Sequence, residues 1–193
     1  MNDVIFREGQ TVNLRPIERA DAPILRRWMN DPDITQYLMR VFPLMEKGEE
    51  EWIDGLSGST NNFALAIIAK EKKKLIGTIG LHQVNWRHRT AVTGTVIGEK
   101  EYLGKGYGTD AKMLLLDFAF NALDLYAVLS HVMAHNGRSL AYGNKCGYEE
   151  VARIPNWLRT NDGDRCDEVI LIVTQEKWRP LWKEYVEKRK ISV

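Results

Sequence analysis

Cysteine is scarce in this sequence: two residues, Cys146 and Cys166, among 193, with no CxxC pair. That excludes a disulfide framework and a cysteine-based zinc or redox motif, and both thiols are read as free. Neither sign of charge is in excess. Lys and Arg number 27 against 26 Asp and Glu, a formal net charge of +1, so no basic surplus exists to draw nucleic-acid phosphates. Long apolar runs are missing too. The longest, Phe63 to Ala69, falls far short of the roughly 20 residues that cross a bilayer. The opening Met-Asn-Asp-Val-Ile-Phe-Arg-Glu lacks the basic and apolar regions of a secretory leader, so a cytoplasmic location is expected. What is present is a 44% apolar composition, enough to core a single domain spanning 1–193.

Thr11 to Ile17 alternates apolar and polar residues until Pro16, as an edge strand entering a turn does. From Arg19 to Asn30, Ala22, Leu25, Trp28 and Met29 recur at helical spacing. Lys47 to Leu56 reads as a second helix, with Glu46, Glu49, Glu50, Glu51 and Asp54 as its acidic face. Phe63–Ala69, Leu75–Val84 and Ala91–Gly98 are β-rich, and the run Lys70-Glu71-Lys72-Lys73-Lys74 between the first two suits a solvated hairpin turn better than a phosphate patch. Tyr107 to Ala122 reads as the longest helix, on a stripe of Ala111, Leu115, Phe118, Ala119 and Ala122. Tyr126–Ala134 is a buried-strand pattern. Asn136–Cys146 is a short helix with Asn136 as its N-cap and Gly147 past its end. Tyr148–Ile154 and Val169–Thr174 are further strands, and a basic helical tail from Glu176 carries Trp178, Trp182 and Tyr185. A β-meander followed by βα alternation predicts an α/β (α+β) fold, a mixed sheet flanked by helices.

Glycine is where the sequence becomes specific. Five glycines, Gly94, Gly98, Gly104, Gly106 and Gly108, fall inside one fifteen-residue window, and the stretch Leu103 to Thr109 sits between a strand and the predicted long helix. Backbone N–H groups converging there, reinforced by the helix dipole, suit a phosphate. A nucleoside-triphosphate loop needs its lysine and hydroxyl after the last glycine, whereas Lys105 precedes Gly106. A dinucleotide fingerprint needs G-x-G-x-x-G and an acidic residue ending the next strand; this turn reads G-x-G-x-G and that strand ends at Ala134-His135. A glycine turn without a ligand would only weaken the first turn of the helix.

Leu103-Gly104-Lys105-Gly106-Tyr107-Gly108 resembles the acyl-CoA signature of the GNAT superfamily of N-acetyltransferases, Q/R-x-x-G-x-G/A. Asn136-Gly137-Arg138-Ser139 followed by Lys145-Cys146-Gly147-Tyr148 is similar to that superfamily's second segment. Asn13-Leu14-Arg15-Pro16, Trp28-Met29-Asn30-Asp31, Glu51-Trp52-Ile53 and Gly77 to Leu81 resemble its RimJ/RimL-type branch, so that roughly Thr11 to Trp178 is covered. The resemblance implies a V-shaped mixed sheet, splayed after a bulge near Val96–Gly98, and acetyl-CoA as co-substrate without a metal. It implies that the backbone of Val96, Ile97 and Gly98 holds pantetheine. On the same model the amides of Leu103, Gly104, Lys105, Gly106, Tyr107, Gly108 and Thr109 hold the pyrophosphate, and Asn136, Ser139 and Lys145 lie along the cofactor.

Two departures bear on the chemistry. Leu103 stands where the signature opens with Arg or Gln, which removes a side-chain donor. The superfamily's proton-donating tyrosine would fall at Gly143; Tyr142, one residue or about 100° away on the helix, is expected to point elsewhere, leaving Ser139 as the acid and Tyr142→Phe nearly silent. Among His82, His88, His131 and His135, His82 leads as base because its strand borders the expected acceptor cleft; a water chain is the other possibility. The absence of a clear base suits a peptide α-amine of pKa about 7.7–8.0 better than an aliphatic amine near 10.4. Gly80 and Gln83 stand where spermidine acetyltransferases resemble one another in carrying glutamates. A protein or peptide N-terminal amine is therefore the expected acceptor, with a polyamine, an aminoglycoside or a non-catalytic CoA sensor as alternatives. Neither nucleic acid nor membrane is an expected partner, and a homodimer is left open.

Overall fold

The computed structural model describes residues 4–38 and 42–191. Met1 to Asp3, the start of the segment read above as lacking a leader, lie outside the described residues. Eight strands form one mixed sheet: β1 (Arg7–Glu8), β2 (Val12–Pro16), β3 (Phe63–Ala69), β4 (Lys74–Asn85), β5 (Thr90–Ile97), β6 (Ala127–Met133), β7 (Glu149–Arg159) and β8 (Arg165–Thr174), in the order β1-β2-β3-β4-β5-β6-β8-β7. The helices are α1 (Ala22–Met29), α2 (Pro32–Thr35), α3 (Glu46–Ser57), α4 (Tyr107–Asp117), α5 (Gly137–Lys145) and α6 (Gln175–Ile191).

Strand β3 shows why its sequence is apolar throughout. Leu65, Ile67 and Ala69 face one core with α4, while Ala66 and Ile68 face a second core with Leu25 and Trp28 of α1 and Ile53 of α3. The sheet thus separates two helical layers. Burying each Leu, Ile or Val contributes roughly 1.5–3 kcal/mol.

Three sequence expectations change. The segment Thr11 to Ile17 is not the edge, because the two-residue β1 pairs outside β2. Helix α4 stops at Asp117 and winds on as a π-turn over Phe118–Ala122, so the longest α-helix is the C-terminal α6, Gln175–Ile191. The splay does not begin at Val96–Gly98. β5 and β6 run parallel and pair only through Thr90↔Ala127, Ala91↔Val128 and Val92↔Leu129, so the gap opens from Thr93 onward.

Asp110, in the first turn of α4, ties the chain together. Its carboxylate accepts the backbone N–H groups of Gln10, Thr11 and Val12 at 3.2, 2.6 and 2.9 Å, the Thr11 hydroxyl at 2.9 Å and the Tyr185 hydroxyl of α6. A Cβ on Gly9 would lie 2.7 Å from that carboxylate, so only glycine lets the N-terminal turn approach. The glycine turn before α4 is anchored from behind.

Candidate active site

The divergence of β5 and β6 opens a cleft of about 590 Å³. One wall is Thr93 to Ile97 of β5, the other Ser130 to Met133 of β6. Because these stretches no longer pair with each other, their facing backbone groups are available to a chain laid between them. Leu103, Gly104, Gly106, Gly108 and Thr109 close one end. Gly104 and Gly106 have φ of +74° and +91°, which L side chains rarely adopt, and a Cβ on either would meet open space. Helix α4 starts directly after Gly106, so its first unpaired N–H groups and its dipole face the same end. These residues fit a pyrophosphate.

Of the residues expected from sequence, Val96, Ile97, Leu103, Gly104, Gly106, Gly108, Thr109, Asn136, Ser139 and Lys145 line the cleft. Gly98, Lys105, Tyr107 and His82 do not. The Gly98 amide donates to the Ile76 carbonyl at 2.9 Å, and a Cβ there would sit 1.9 Å from the Trp28 ring. Its glycine serves the packing of Trp28. Tyr107 turns its ring onto Tyr102, centroid to centroid 5.1 Å. Asn136 is the N-cap of α5, accepting the Ser139 N–H at 3.1 Å.

The expected orientation of Tyr142 is corrected. Arg138, Ser139, Ala141, Tyr142 and Lys145 all line the cleft, a helical face broad enough to take both Ser139 and Tyr142. Gly143 instead turns inward, where a Cβ would lie 3.2 Å from Leu171. Behind Tyr142 and Ser139 a small void is shared by Lys112, Ser130, Gly143 and Tyr148. Lys112 is 1% exposed. Its ammonium donates to the Thr93 hydroxyl at 2.9 Å and lies 5.4 and 5.5 Å from the ring centroids of Tyr142 and Tyr148. No carboxylate pairs with it among the described residues.

On the opposite face, Nδ1 of His131 on β6 lies 3.0 Å from the Glu168 carboxylate of β8, within hydrogen-bond distance. Glu168 is 6% exposed, and His131 lines the cleft. Ile34 of α2 and the following Tyr37 border the same space. His82, by contrast, sits half-buried on β4, and burial, with the Lys112 charge adding to it, pushes its imidazole below the ordinary value. The sequence reading missed Lys112, Asp110 and the His131–Glu168 pair. A lysine within Asp110-Ala111-Lys112-Met113-Leu114, apolar on its far side, was the one local signal.

The model of the acetyltransferase (GNAT) domain matches residues 11–149. The chain belongs to the GNAT acetyltransferases. It is 29% identical over 147 residues to the uncharacterized N-acetyltransferase p20 of Bacillus licheniformis, covering 73% of this chain and 80% of that protein. It is 27% identical over 143 residues to the spermidine N(1)-acetyltransferase of Vibrio cholerae serotype O1, covering 74% and 82%. The crystal structure of spermidine N-acetyltransferase from Vibrio cholerae in complex with CoA and spermine shares the fold, with a TM-score of 0.81 at 24% identity over 88% of this chain and 98% of that one. As a GNAT enzyme the protein is an acetyl-CoA-dependent N-acetyltransferase acting on amines, and its mixed sheet opened at β5 and β6 is the GNAT fold. The described residues hold no cluster of His, Cys, Asp and Glu suited to a metal, and none of their helices is long and apolar enough to cross a membrane.

Proposed function

We propose that the protein acetylates a primary amine of a small polycation of the spermidine type. The observation that carries this reading is the likeness, over most of both chains, to relatives named as spermidine N-acetyltransferases. It favours the polyamine alternative over the peptide α-amine expected from the sequence, and gives no support to the RimJ/RimL-type branch. Gly80 and Gln83 indeed carry no charge: Gly80 presses against Phe63, where a Cβ would meet the carbonyl at 2.3 Å, and Gln83 is exposed at φ +52°. The acidic group nearest this face of the cleft is instead Glu168, far along the sequence, buried and engaged with His131 rather than lining the cleft itself.

The chain's own residues divide the work. Amides of Gly104 to Thr109 hold the pyrophosphate of acetyl-CoA, and the free edges of β5 and β6 hold its pantetheine arm in the gap. The acetyl thioester supplies the group transferred. Ser139 and Tyr142 stand at the inner end of the cleft, where a departing thiolate needs a hydroxyl donor. Holding both reactants in one cleft supplies much of the rate, since orientation is worth ~7–11 kcal/mol.

The test is acceptor competition with acetyl-CoA at fixed concentration. Spermidine is expected to exceed a free N-terminal peptide in kcat/KM by at least about tenfold, and an aminoglycoside likewise. A peptide that outcompetes spermidine overturns the reading.

A further inference from the structure

A primary aliphatic amine with a pKa near 10.4 is neutral in only about one molecule in a thousand near pH 7.4. An enzyme for such an acceptor needs a group that takes its proton. We propose that His131, held by Glu168, is that group, a proposal that rests on the amine acetyltransferase reading above.

Alternation along β6 places it. Ser130 borders the void with Lys112, Ser139 and Tyr142 under α4 and α5. His131, the next residue, therefore projects from the other face, toward α2 and Tyr37, away from the helices that cradle the pyrophosphate. His131 pairs across the ladder with Ile170, so Glu168, two residues along β8, is its diagonal neighbour on that same face. A carboxylate oxygen accepts, so in this assignment the 3.0 Å contact is an Nδ1–H donated to Glu168, and the lone pair is left on Nε2. The imidazole side chain is 32% exposed against 8% for the carboxylate, so the ring is the part that meets the cleft. The other histidines lack this arrangement. His82 has no carboxylate partner and does not line the cleft, His88 lies in the exposed turn between β4 and β5, and His135 lies past the end of β6 with its ring 5.6 Å from Tyr37.

The step balances. The ammonium of the acceptor gives one proton to Nε2 of His131, and the imidazolium formed is stabilised by Glu168. The freed nitrogen lone pair makes the C–N bond as the C–S bond of the thioester breaks. The electron pair of that bond leaves on sulfur, which takes the second amine proton, directly or through the Ser139 or Tyr142 hydroxyl. The proton on His131 returns to solvent. Glu168 touches neither substrate and is a positioning residue. The other charged and titratable groups sharing the cleft among the described residues are Asp33, Tyr37, Lys100, Tyr102, Arg138, Tyr142 and Lys145; Asp33 is paired with Lys100.

The test compares the wild-type protein with His131→Gln and Glu168→Gln, measuring CoA affinity by calorimetry and kcat/KM across pH for spermidine and for 2,2,2-trifluoroethylamine, which is already neutral at pH 7. His131→Gln is expected to bind CoA normally and to lose about 10²-fold or more on spermidine, with a much smaller loss on trifluoroethylamine. Glu168→Gln is expected to retain partial activity on spermidine, with CoA affinity and trifluoroethylamine turnover near wild type, and Glu168→Asp to recover part of the loss. His131→Asn serves as the second variant should His131→Gln fail to bind CoA. A histidine variant that binds CoA and stays within threefold of wild type on spermidine overturns the assignment. A wild-type protein that binds CoA but acetylates no primary amine overturns the functional reading itself, and the assignment falls with it.

Discussion

Lys112→Met tests whether the buried ammonium is held at a cost. The wild-type side chain is 1% exposed, with one hydrogen bond to Thr93 and two tyrosine rings as its company. Moving an ammonium out of water costs several kcal/mol even after relaxation. The bond to Thr93 returns about 1.5–3 kcal/mol, and the two rings return roughly 0.5–2 kcal/mol each. Methionine matches the length of the lysine stem and keeps its apolar contacts. Thr93 is not orphaned, because its hydroxyl still donates to the Gly80 carbonyl at 3.0 Å. These terms nearly offset one another; because apolar replacement of a buried charge is often stabilising, the substitution is expected to stabilise by about 1–2 kcal/mol, which in a domain of this size raises Tm by roughly 2–8 °C in calorimetry at pH 7.5. Activity is expected to move the other way, with kcat on spermidine falling about tenfold, since the substitution removes the cation packed behind the Tyr142 ring. A lower Tm would show that the interactions of the ion exceed its desolvation. A Tm gain with unchanged kcat would leave the charge without a chemical role.

Gly106→Asp forces an L side chain into φ +91° and sets a carboxylate against the pyrophosphate; calorimetry is expected to show CoA affinity reduced at least about tenfold, and affinity that survives, or that depends on a divalent ion, contradicts the assignment. Tyr142→Phe is expected to cut kcat by about tenfold or more with CoA affinity retained, the reverse of what the helix position alone suggests, and a silent substitution would return the acid role to Ser139 or water. Asp110→Ala strips the acceptor from the Gln10, Thr11, Val12 and Tyr185 donors. A loss of at least about 3 kcal/mol, or roughly 6–12 °C in Tm, is expected, and a change within two degrees would refute the anchoring role. His82 is pushed below the ordinary imidazole value by burial and then by Lys112. The unfolded chain therefore takes up this proton first as pH falls, so the contribution is full above about 6.5 and lost on going down through the folded value. His82→Gln should make Tm versus pH shallower between 7.5 and 5.5, and an unaltered slope counts against it.

What the sequence discloses is what is local. The Asn136 cap bonds a backbone N–H three residues on, the glycine turn declares its own backbone geometry, and β3 is apolar because both its faces are covered. Distance along the chain hides the rest. Asp110 meets partners about a hundred residues earlier, and His131 meets Glu168 only because β8 inserts between β6 and β7. The opening of the cleft at Thr93 is likewise a property of how two strands part, which neither strand's own residues announce. The misplacement of Tyr142 has a different origin. Counting to one hydroxyl position treats the helix face as a line, whereas five residues of α5 line the cleft and Gly143 is drawn inward against Leu171.

The sheet also divides the two proton transfers that acetylation of an ammonium requires. A leaving thiolate needs a donor, and the hydroxyls of Ser139 and Tyr142 with the cation of Lys112 lie on the side of α4 and α5. An incoming ammonium needs an acceptor, and His131 with Glu168 lies on the side of α2. Were both sets on one face, the cation of Lys112 would repel the incoming ammonium. The strand period keeps them apart, since Ser130 and His131 are consecutive and point to opposite faces. The gap that begins at Thr93 is the passage between the two sides, so an acetyl group placed there meets a base on one side and an acid on the other. Register in β6 thereby becomes a catalytic requirement: a slip of one residue would bring His131 under the helices beside Lys112 and carry its imidazole away from Glu168 and the incoming amine.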